Sequence, residues 1–468
     1  MRQANETKTK SSGLSRREFV GAAAAVAAFT YVPKHVLGQG GRDSANGRLN
    51  VAGIGVGGRG ASDVDGCAEA GARIAALCDV DMKRASGTFK KYPDAKVYKD
   101  FRVMLEKEAK NIDAVVIGAP DHIHAPAAIM AMKMGKHVYC EKPMAHTVYE
   151  ARRMTEVAAE TGVVTQMGNQ GHAGEGLRLY WEFINDGAIG TVREVHVWSD
   201  RAGTQERPWW PQGLDRPKGS APVPDGLDWD LWLGPAKWRP YAKFPNGRGG
   251  EATYAPFNWR GWWDFGCGAL GDMAVHNADP AFFALDLDAP TAVEAETTPV
   301  NDETLPISNI IHFEFPAKGS RPAVKMTWYD GGNLPERPAD LEESRRMDSN
   351  GILFIGDKGK LMGGGHAGAP RLIPETAMKE YGGKPPKTLP RSPGHHAEWI
   401  EACKAGDPKA AKSGFWYAGP FTEALLVGNL AVRLQKRVEW DAQAMRSPNC
   451  PEADNYITKF YRAGYTIM

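Results

Sequence analysis

The sequence predicts an α/β domain with a parallel sheet, followed by an α+β domain built on a large, mostly antiparallel open sheet. Three observations predict it. Short apolar runs alternate with helical patterns from residue 49 to about residue 170. A glycine-rich turn closes the first of those runs. Beyond residue 190 the strand-like runs lengthen and few helices intervene. At 468 residues the chain is long enough for two cores. Its 42% hydrophobic and 24% charged content is that of a globular protein rather than a disordered one. A formal net charge of +1 exerts no long-range pull on nucleic acid or anionic membrane, so neither is an expected partner.

Taken in order, the chain begins with Ser15-Arg16-Arg17-Glu18-Phe19-Val20, then the mildly apolar Gly21-Ala22-Ala23-Ala24-Ala25-Val26-Ala27-Ala28-Phe29. That run is too short and too rich in Ala and Gly to span a bilayer stably, so no membrane anchor is expected. The segment resembles a twin-arginine export signal, with Lys34 in the polar region and small residues Val36 and Gly38 before a cleavage point. The resemblance implies a signal peptide over 1–38 and a periplasmic or otherwise exported protein.

Strands are predicted at 49–54, 73–78, 113–118, 137–140 and 163–167, with helices between them, for instance at 127–134 and 148–160. The first strand runs into Gly53-Ile54-Gly55-Val56-Gly57-Gly58-Arg59-Gly60, which contains G-x-G-x-x-G at Gly53, Gly55 and Gly58. Glycines there permit a tight turn, close backbone approach to a pyrophosphate, and close helix packing, with the helix N-terminus facing the phosphates. Asp79 follows the second strand, 21 residues after Gly58, where a carboxylate bonds ribose hydroxyls and repels a 2′-phosphate. Residues 47–170 therefore read as a Rossmann dinucleotide-binding domain, with NAD favoured over NADP.

Two further motifs follow: Ala119-Pro120-Asp121-His122-Ile123-His124 and Gly135-Lys136-His137-Val138-Tyr139-Cys140-Glu141-Lys142-Pro143. With Asp272-Met273-Ala274-Val275-His276 downstream, the chain resembles the glucose–fructose oxidoreductase/inositol dehydrogenase/MocA (Gfo/Idh/MocA) family from about residue 49 to its C-terminal helices. The resemblance implies that Gly58 and Arg59 offer backbone donors to the pyrophosphate, and that Asp121 and His124 lie along the cofactor. It further implies that Glu141 bonds the nicotinamide ribose, Lys142 reaches the substrate hydroxyl, and Asn169 borders the nicotinamide ring. A homo-oligomer assembled through the second domain's sheet is an implication of the same kind.

The residues themselves suit alcohol oxidation. Removing a hydroxyl proton as hydride departs requires a base near the carbinol oxygen. Lys142 and His276 both qualify, and which of them is the base stays open. Asp272 and His276, four apart, would share a helix face. His172, His395 and His396 are weaker candidates. The six cysteines show no metal-like spacing, no metal is expected, and a structural disulfide is not needed in a chain of this size.

The second domain is placed at 171–440, with strands at 191–198, 307–315, 323–328 and 352–355, and a helix at 419–434 returning to cover the first domain. Nine of the fourteen tryptophans lie within 198–263, a Pro- and Gly-rich insertion expected to wrap the surface or cap the cleft. Trp262 and Trp263 are its expected substrate contacts, while packing explains most of the others. The stretch 335–393 has no functional reading, and 441–468 is a C-terminal extension.

The function expected is an exported NAD-dependent oxidoreductase acting on a sugar or cyclitol, with tightly held cofactor in a redox-neutral cycle. Two alternatives stand beside it. One is an NAD-dependent glycosidase or lyase working through a transient keto-sugar. The other is a nucleotide-loaded sugar-binding protein without activity.

Overall fold

The structure is a computed structural model that describes residues 48–467, and the expected export signal at 1–38 lies outside them. The first sheet contains β1 (Asn50–Ile54), β2 (Arg73–Cys78), β3 (Lys96–Tyr98), β4 (Ala114–Ile117), β5 (His137–Cys140) and β6 (Thr165–Met167). Their order is β3-β2-β1-β4-β5-β6, every neighbouring pair parallel. β4 and β5 are buried at every residue, as strands covered on both faces by helices must be. The helix Val148–Thr161 shows how local sequence sets the boundaries. Thr147 accepts a hydrogen bond from the Glu150 N–H at its start, and Gly162, in the left-handed region, ends it. Strand order reverses between β1 and β4, which opens a crevice at their C-terminal ends, the place where such sheets bind ligands.

The second sheet uses β7 (Val192–Trp198), then, after the separate hairpin of β8 (Lys243–Pro245) and β9 (Glu251–Thr253), β10 (Ala292–Thr297), β11 (Asn309–Phe315), β12 (Val324–Tyr329), β13 (Gly351–Gly356), β14 (Lys360–Gly364), β15 (Arg371–Ile373) and β16 (Val438–Glu439). The order is β15-β14-β13-β7-β12-β11-β10-β16, antiparallel except for the β7–β12 pair. β11 alternates fully buried and partly buried residues, the signature of a sheet with one packed face. The helix Phe415–Leu434 packs on β10 and β11 and also on Val148–Thr161 of the first domain. An ion pair between Arg152 and Glu423, with Nε to Oε2 at 2.8 Å, ties the two helices together. The long return helix is thus the seam between the domains.

The tryptophan-rich stretch has little regular structure beyond its hairpin and the short helix Trp229–Leu233. It builds a core of its own from Trp229, Trp232, Tyr254, Trp262 and Phe265. All six cysteines are free and buried. Among the described residues no helix is long and apolar enough to cross a membrane, and no cluster of three or more His, Cys, Asp or Glu residues is placed to hold a metal ion.

Candidate active site

The crevice is a cavity of about 360 Å³ between the glycine turn on one side and the tryptophan-rich segment and C-terminal tail on the other. The turn is set two residues later than the sequence motif suggested. Gly53 lies within β1, where a Cβ would strike Val56 and Val64 side chains. The chain turns at Gly55, with φ +76°, and a Cβ there would sit 2.6 Å from the Ala119 nitrogen. Close approach of helix to strand belongs to Gly60, whose Cβ would lie 2.3 Å from the Gly55 carbonyl oxygen. The working register is therefore Gly55, Gly57 and Gly60, while Gly58 precedes the helix Arg59–Glu69. The N–H groups of that first turn have no partners within the helix, which suits an anion. Asp79 lines the crevice, its two carboxylate oxygens accepting from the Gly57 and Asp81 N–H groups at 2.8 Å each. Burial pushes this carboxyl up to about 6, against the pull of those two bonds. A side-chain-free turn, a helix N-terminus and a fixed carboxylate together fit a dinucleotide.

At the far end of the crevice stand Asp121, Glu141 and Lys142. The Lys142 ammonium donates to Asp272 Oδ1 at 2.8 Å and to the Asp272 carbonyl at 2.9 Å. The same Oδ1 accepts from Arg260 Nε at 3.0 Å. Burial opposes ionisation of Asp272, but the Lys142 and Arg260 charges outweigh it and hold the carboxyl well below the usual range. Glu141 Oε1 accepts from Gln170 at 2.6 Å and from Arg59 Nε at 3.2 Å. Its pKa is raised by burial and by the nearby Asp63 charge. Asp121 accepts the Cys267 N–H at 3.1 Å and is pushed up to about 7, chiefly by burial.

Asp272 and His276 do not pair as an i,i+4 couple. Leu270–Ala274 is a π-helical turn running into Val275–Asn277, and wider turns of this kind recur at functional sites. Asp272 turns to Lys142, while the His276 ring lies against that of His366, tilted to it by 34° with centroids 4.3 Å apart. His276 is buried, and its Nδ1, closed off from solvent, has no hydrogen-bond partner among the described residues. Burial, then the Lys142 and His366 charges, hold its pKa well below the ordinary value, so its imidazole is neutral.

Several expected contacts lie elsewhere. His124 is buried, its ring nitrogens at the Pro143 and Ala119 carbonyls, 2.8 Å from each. Asn169 and His172 are buried in a network on Asp279, with Asn169 Nδ2 at 3.0 Å and His172 Nδ1 at 2.9 Å. Neither they nor His124 line the crevice; Asp272 and His276 do not line it either, but Asp272 is bonded to Lys142 and Arg260, which do. Trp262 is fully buried in the insertion's own core, and Trp263 lines a different cavity. These groups satisfy one another or fill a core, which removes them from a ligand's reach. His395 and His396 open the helix His395–Ala405 and contact Met167 O and Asp63 respectively.

The residues that the sequence reading missed are Trp232, Trp259, Arg260 and Tyr465, all on the crevice wall, and His366, exposed beside His276. The insertion reaches the crevice through backbone bonds to the residues after Asp79: Met82 N–H to Gly226 O at 3.0 Å and Asp228 N–H to Val80 O at 2.8 Å. Tyr465 arrives from the C-terminal tail, its ring under the Arg102 guanidinium at 4.2 Å. His366 is placed by its N–H on Asn277 Oδ1 at 2.9 Å, the residue next to His276.

Comparisons with known proteins agree with this architecture. A family model described as an oxidoreductase family with an NAD-binding Rossmann fold matches residues 49–169. Another, described as an oxidoreductase-family C-terminal alpha/beta domain, matches residues 180–467. An inositol 2-dehydrogenase of Salmonella typhimurium is 30% identical over 146 residues, 31% of this chain and 43% of its own length. A 2,7-anhydro-N-acetylneuraminate hydratase of Mediterraneibacter gnavus is 31% identical over 137 residues, 29% of this chain and 35% of its own length. The matched stretch is thus less than half the length of either relative. The WlbA dehydrogenase from Bordetella pertussis, solved with NADH and UDP-GlcNAcA, superposes with a TM-score of 0.53 at 18% identity over 84% of this chain and 99% of its own, a likeness of fold.

Proposed function

We propose that this chain, a member of the Gfo/Idh/MocA oxidoreductase family with an NAD-binding Rossmann domain, oxidises a ring hydroxyl of a sugar or cyclitol at the Lys142–Asp272 end of its crevice. The observation that carries the reading is the Lys142 ammonium, anchored on two Asp272 oxygens at the end of a crevice that begins with the glycine turn. NAD, when bound, supplies the hydride acceptor. Lys142 holds the substrate oxygen with its remaining N–H, and the neutral imidazole of His276, beside Lys142 and Asp272, takes the hydroxyl proton. Phe257, Trp259 and Arg260 offer flat and hydrogen-bonding surfaces suited to a polyol ring. The likeness to an inositol dehydrogenase supports that substrate class.

Export through the twin-arginine pathway and a cofactor that stays bound between turnovers belong to the same proposal. Two segments close over the adenosine side of the crevice, one carrying Trp232 and the other Tyr465, and this supports slow cofactor exchange. An exported enzyme with a captive cofactor must return each hydride, which makes a redox-neutral cycle the fitting economy.

A second reading takes its support from the hydratase relative: a transient keto-sugar acidifies the neighbouring C–H and permits C–O cleavage. One experiment separates the readings. The mature protein is purified without added nucleotide, its bound nucleotide is assayed after denaturation, and reduced-nicotinamide absorbance is followed while sugars and aryl glycosides are added. Bound NAD reduced by one sugar and reoxidised by another is the expected result. Release of the aryl group without net reduction would establish the cleavage reading. Sugar binding with no absorbance change and no turnover would leave a binding protein.

A further inference from the structure

A second cavity of about 250 Å³ shares no lining residue with the crevice. Its walls come from residues 146–148, from Trp263 and its neighbours at the end of the insertion, from the helix Phe415–Leu434, and from residues 455–460 of the C-terminal extension. Arg433 lines it beside two aromatic rings, its guanidinium carbon 4.0 Å from the Trp263 centroid and 4.8 Å from that of Tyr456. Among the described residues no carboxylate forms an ion pair with Arg433; the Tyr456 hydroxyl is its side-chain partner, and Asp264 and Asp302 act on it only through space. Burial pushes its pKa down to about 10. A half-buried guanidinium without an anion is an unfavourable arrangement.

Lys237 adds positive charge: it is exposed at the rim, its ammonium 5.9 Å from the Phe460 ring. Lys459, also on the wall, adds none, being paired with Glu150 Oε1 at 2.8 Å and held at His146 Nδ1 and the His122 carbonyl, 2.9 and 3.3 Å away. Among the described residues the one carboxylate on the wall is Asp264, engaged by Arg239. A guanidinium held beside two rings keeps its remaining N–H groups for a planar, two-point acceptor. The hollow is smaller than the usual pocket for a drug-sized ligand and suits a small oxyanion or short organic acid.

We propose that this cavity binds a small anion through a phosphate or carboxylate group, with Arg433 as its principal ligand and Lys237 completing the charge. The site is distinct from the oxidation chemistry, and its existence does not depend on the substrate assignment.

The test uses protein saturated with NAD, so that the glycine turn is occupied. Its thermal midpoint is followed against inorganic phosphate and, separately, succinate, with chloride holding ionic strength constant. A saturable rise in midpoint with either probe, absent in chloride alone, is expected, because a ligand of the folded state stabilises it by mass action. The responding probe identifies the group preferred. Arg433→Gln should abolish the rise, and Lys237→Ala should weaken the apparent affinity severalfold. Equal midpoints in all three salts, or a rise that survives Arg433→Gln, overturns the site. Should Arg433→Gln not fold, the exposed Lys237→Ala variant decides, and an unchanged affinity there counts against the proposal.

Discussion

Lys142 and Asp272 are joined twice: the ammonium donates to the side-chain carboxylate at 2.8 Å and to the backbone carbonyl of the same residue at 2.9 Å. Two of three ammonium protons are thereby committed, and the direction of the third is set. Because Lys142 comes from the turn after β5 and Asp272 from the π-helical turn of the second domain, the pair also fixes the reacting end of the crevice across the domain seam.

Replacing Lys142 with Met keeps the length of the side chain and removes its charge. We expect kcat/KM for the sugar substrate to fall by about 10²–10³, the range for losing one positioned donor to the reacting oxygen. Bound NAD should persist, since the glycine turn and Asp79 lie at the other end. Near wild-type turnover would remove Lys142 from the chemistry.

Acting as base, His276 shapes the pH dependence. Its folded pKa is held well below the ordinary histidine value, first by burial and then by the Lys142 and His366 charges. Activity needs the neutral imidazole and is lost only as pH falls through that lowered pKa. The acid limb of kcat/KM should therefore lie well below 6.5, the unperturbed histidine value. His276→Asn should abolish this limb and lower kcat by about 10²-fold or more. A limb centred at the ordinary histidine value, or one unchanged in His276→Asn, would assign the base elsewhere.

How far the sequence could be read depended on whether a residue's role was local. β2 and β5 begin and end where alternation and flanking breakers placed them, whereas β3 escaped because its three residues are largely exposed and carry no apolar pattern. Overlapping glycines offer two registers of G-x-G-x-x-G, and only the positive φ of Gly55 and the contact at Gly60 decide between them. Lys142 and Asp272 were legible because a spaced motif carries each. Arg260, Tyr465 and His366 were not, since each reaches the site through tertiary packing of an irregular segment. Conversely Asn169, His172 and Trp262 looked like ligand contacts because polarity and aromaticity alone do not reveal a buried partner such as Asp279.

Cofactor retention should depend on the tail. Tyr465 packs 6.2 Å from Phe101, centroid to centroid, on the crevice wall and carries Arg102 on its other face. Tyr465→Ala removes that cover without touching the glycine turn. We expect NAD dissociation, measured by stopped-flow displacement, to quicken by about tenfold, the worth of one aromatic contact. Hydride transfer in the presence of saturating NAD should be nearly unchanged. An unaltered dissociation rate would mean that the insertion alone retains the nucleotide.

Asp121 offers a stability test whose sign follows from burial. Its folded pKa, about 7, lies above the ordinary 3.8, with burial the main cause, the Arg260 charge opposing it and the Asp272 charge adding to it. The folded state therefore binds the proton more readily than the unfolded state does. The penalty for ionised Asp121 is fully present above about pH 7 and is relieved as pH falls from there towards 4, by at most about 4 kcal/mol. Asp121→Asn keeps an oxygen for the Cys267 N–H and removes the charge. The nucleotide-free variant should melt higher than the parent at pH 8, with the advantage shrinking steadily towards pH 4. An advantage independent of pH would trace to packing rather than to ionisation, and a loss of stability at pH 8 would show that the buried carboxylate is held by the Arg260 and Lys142 charges more firmly than burial opposes it.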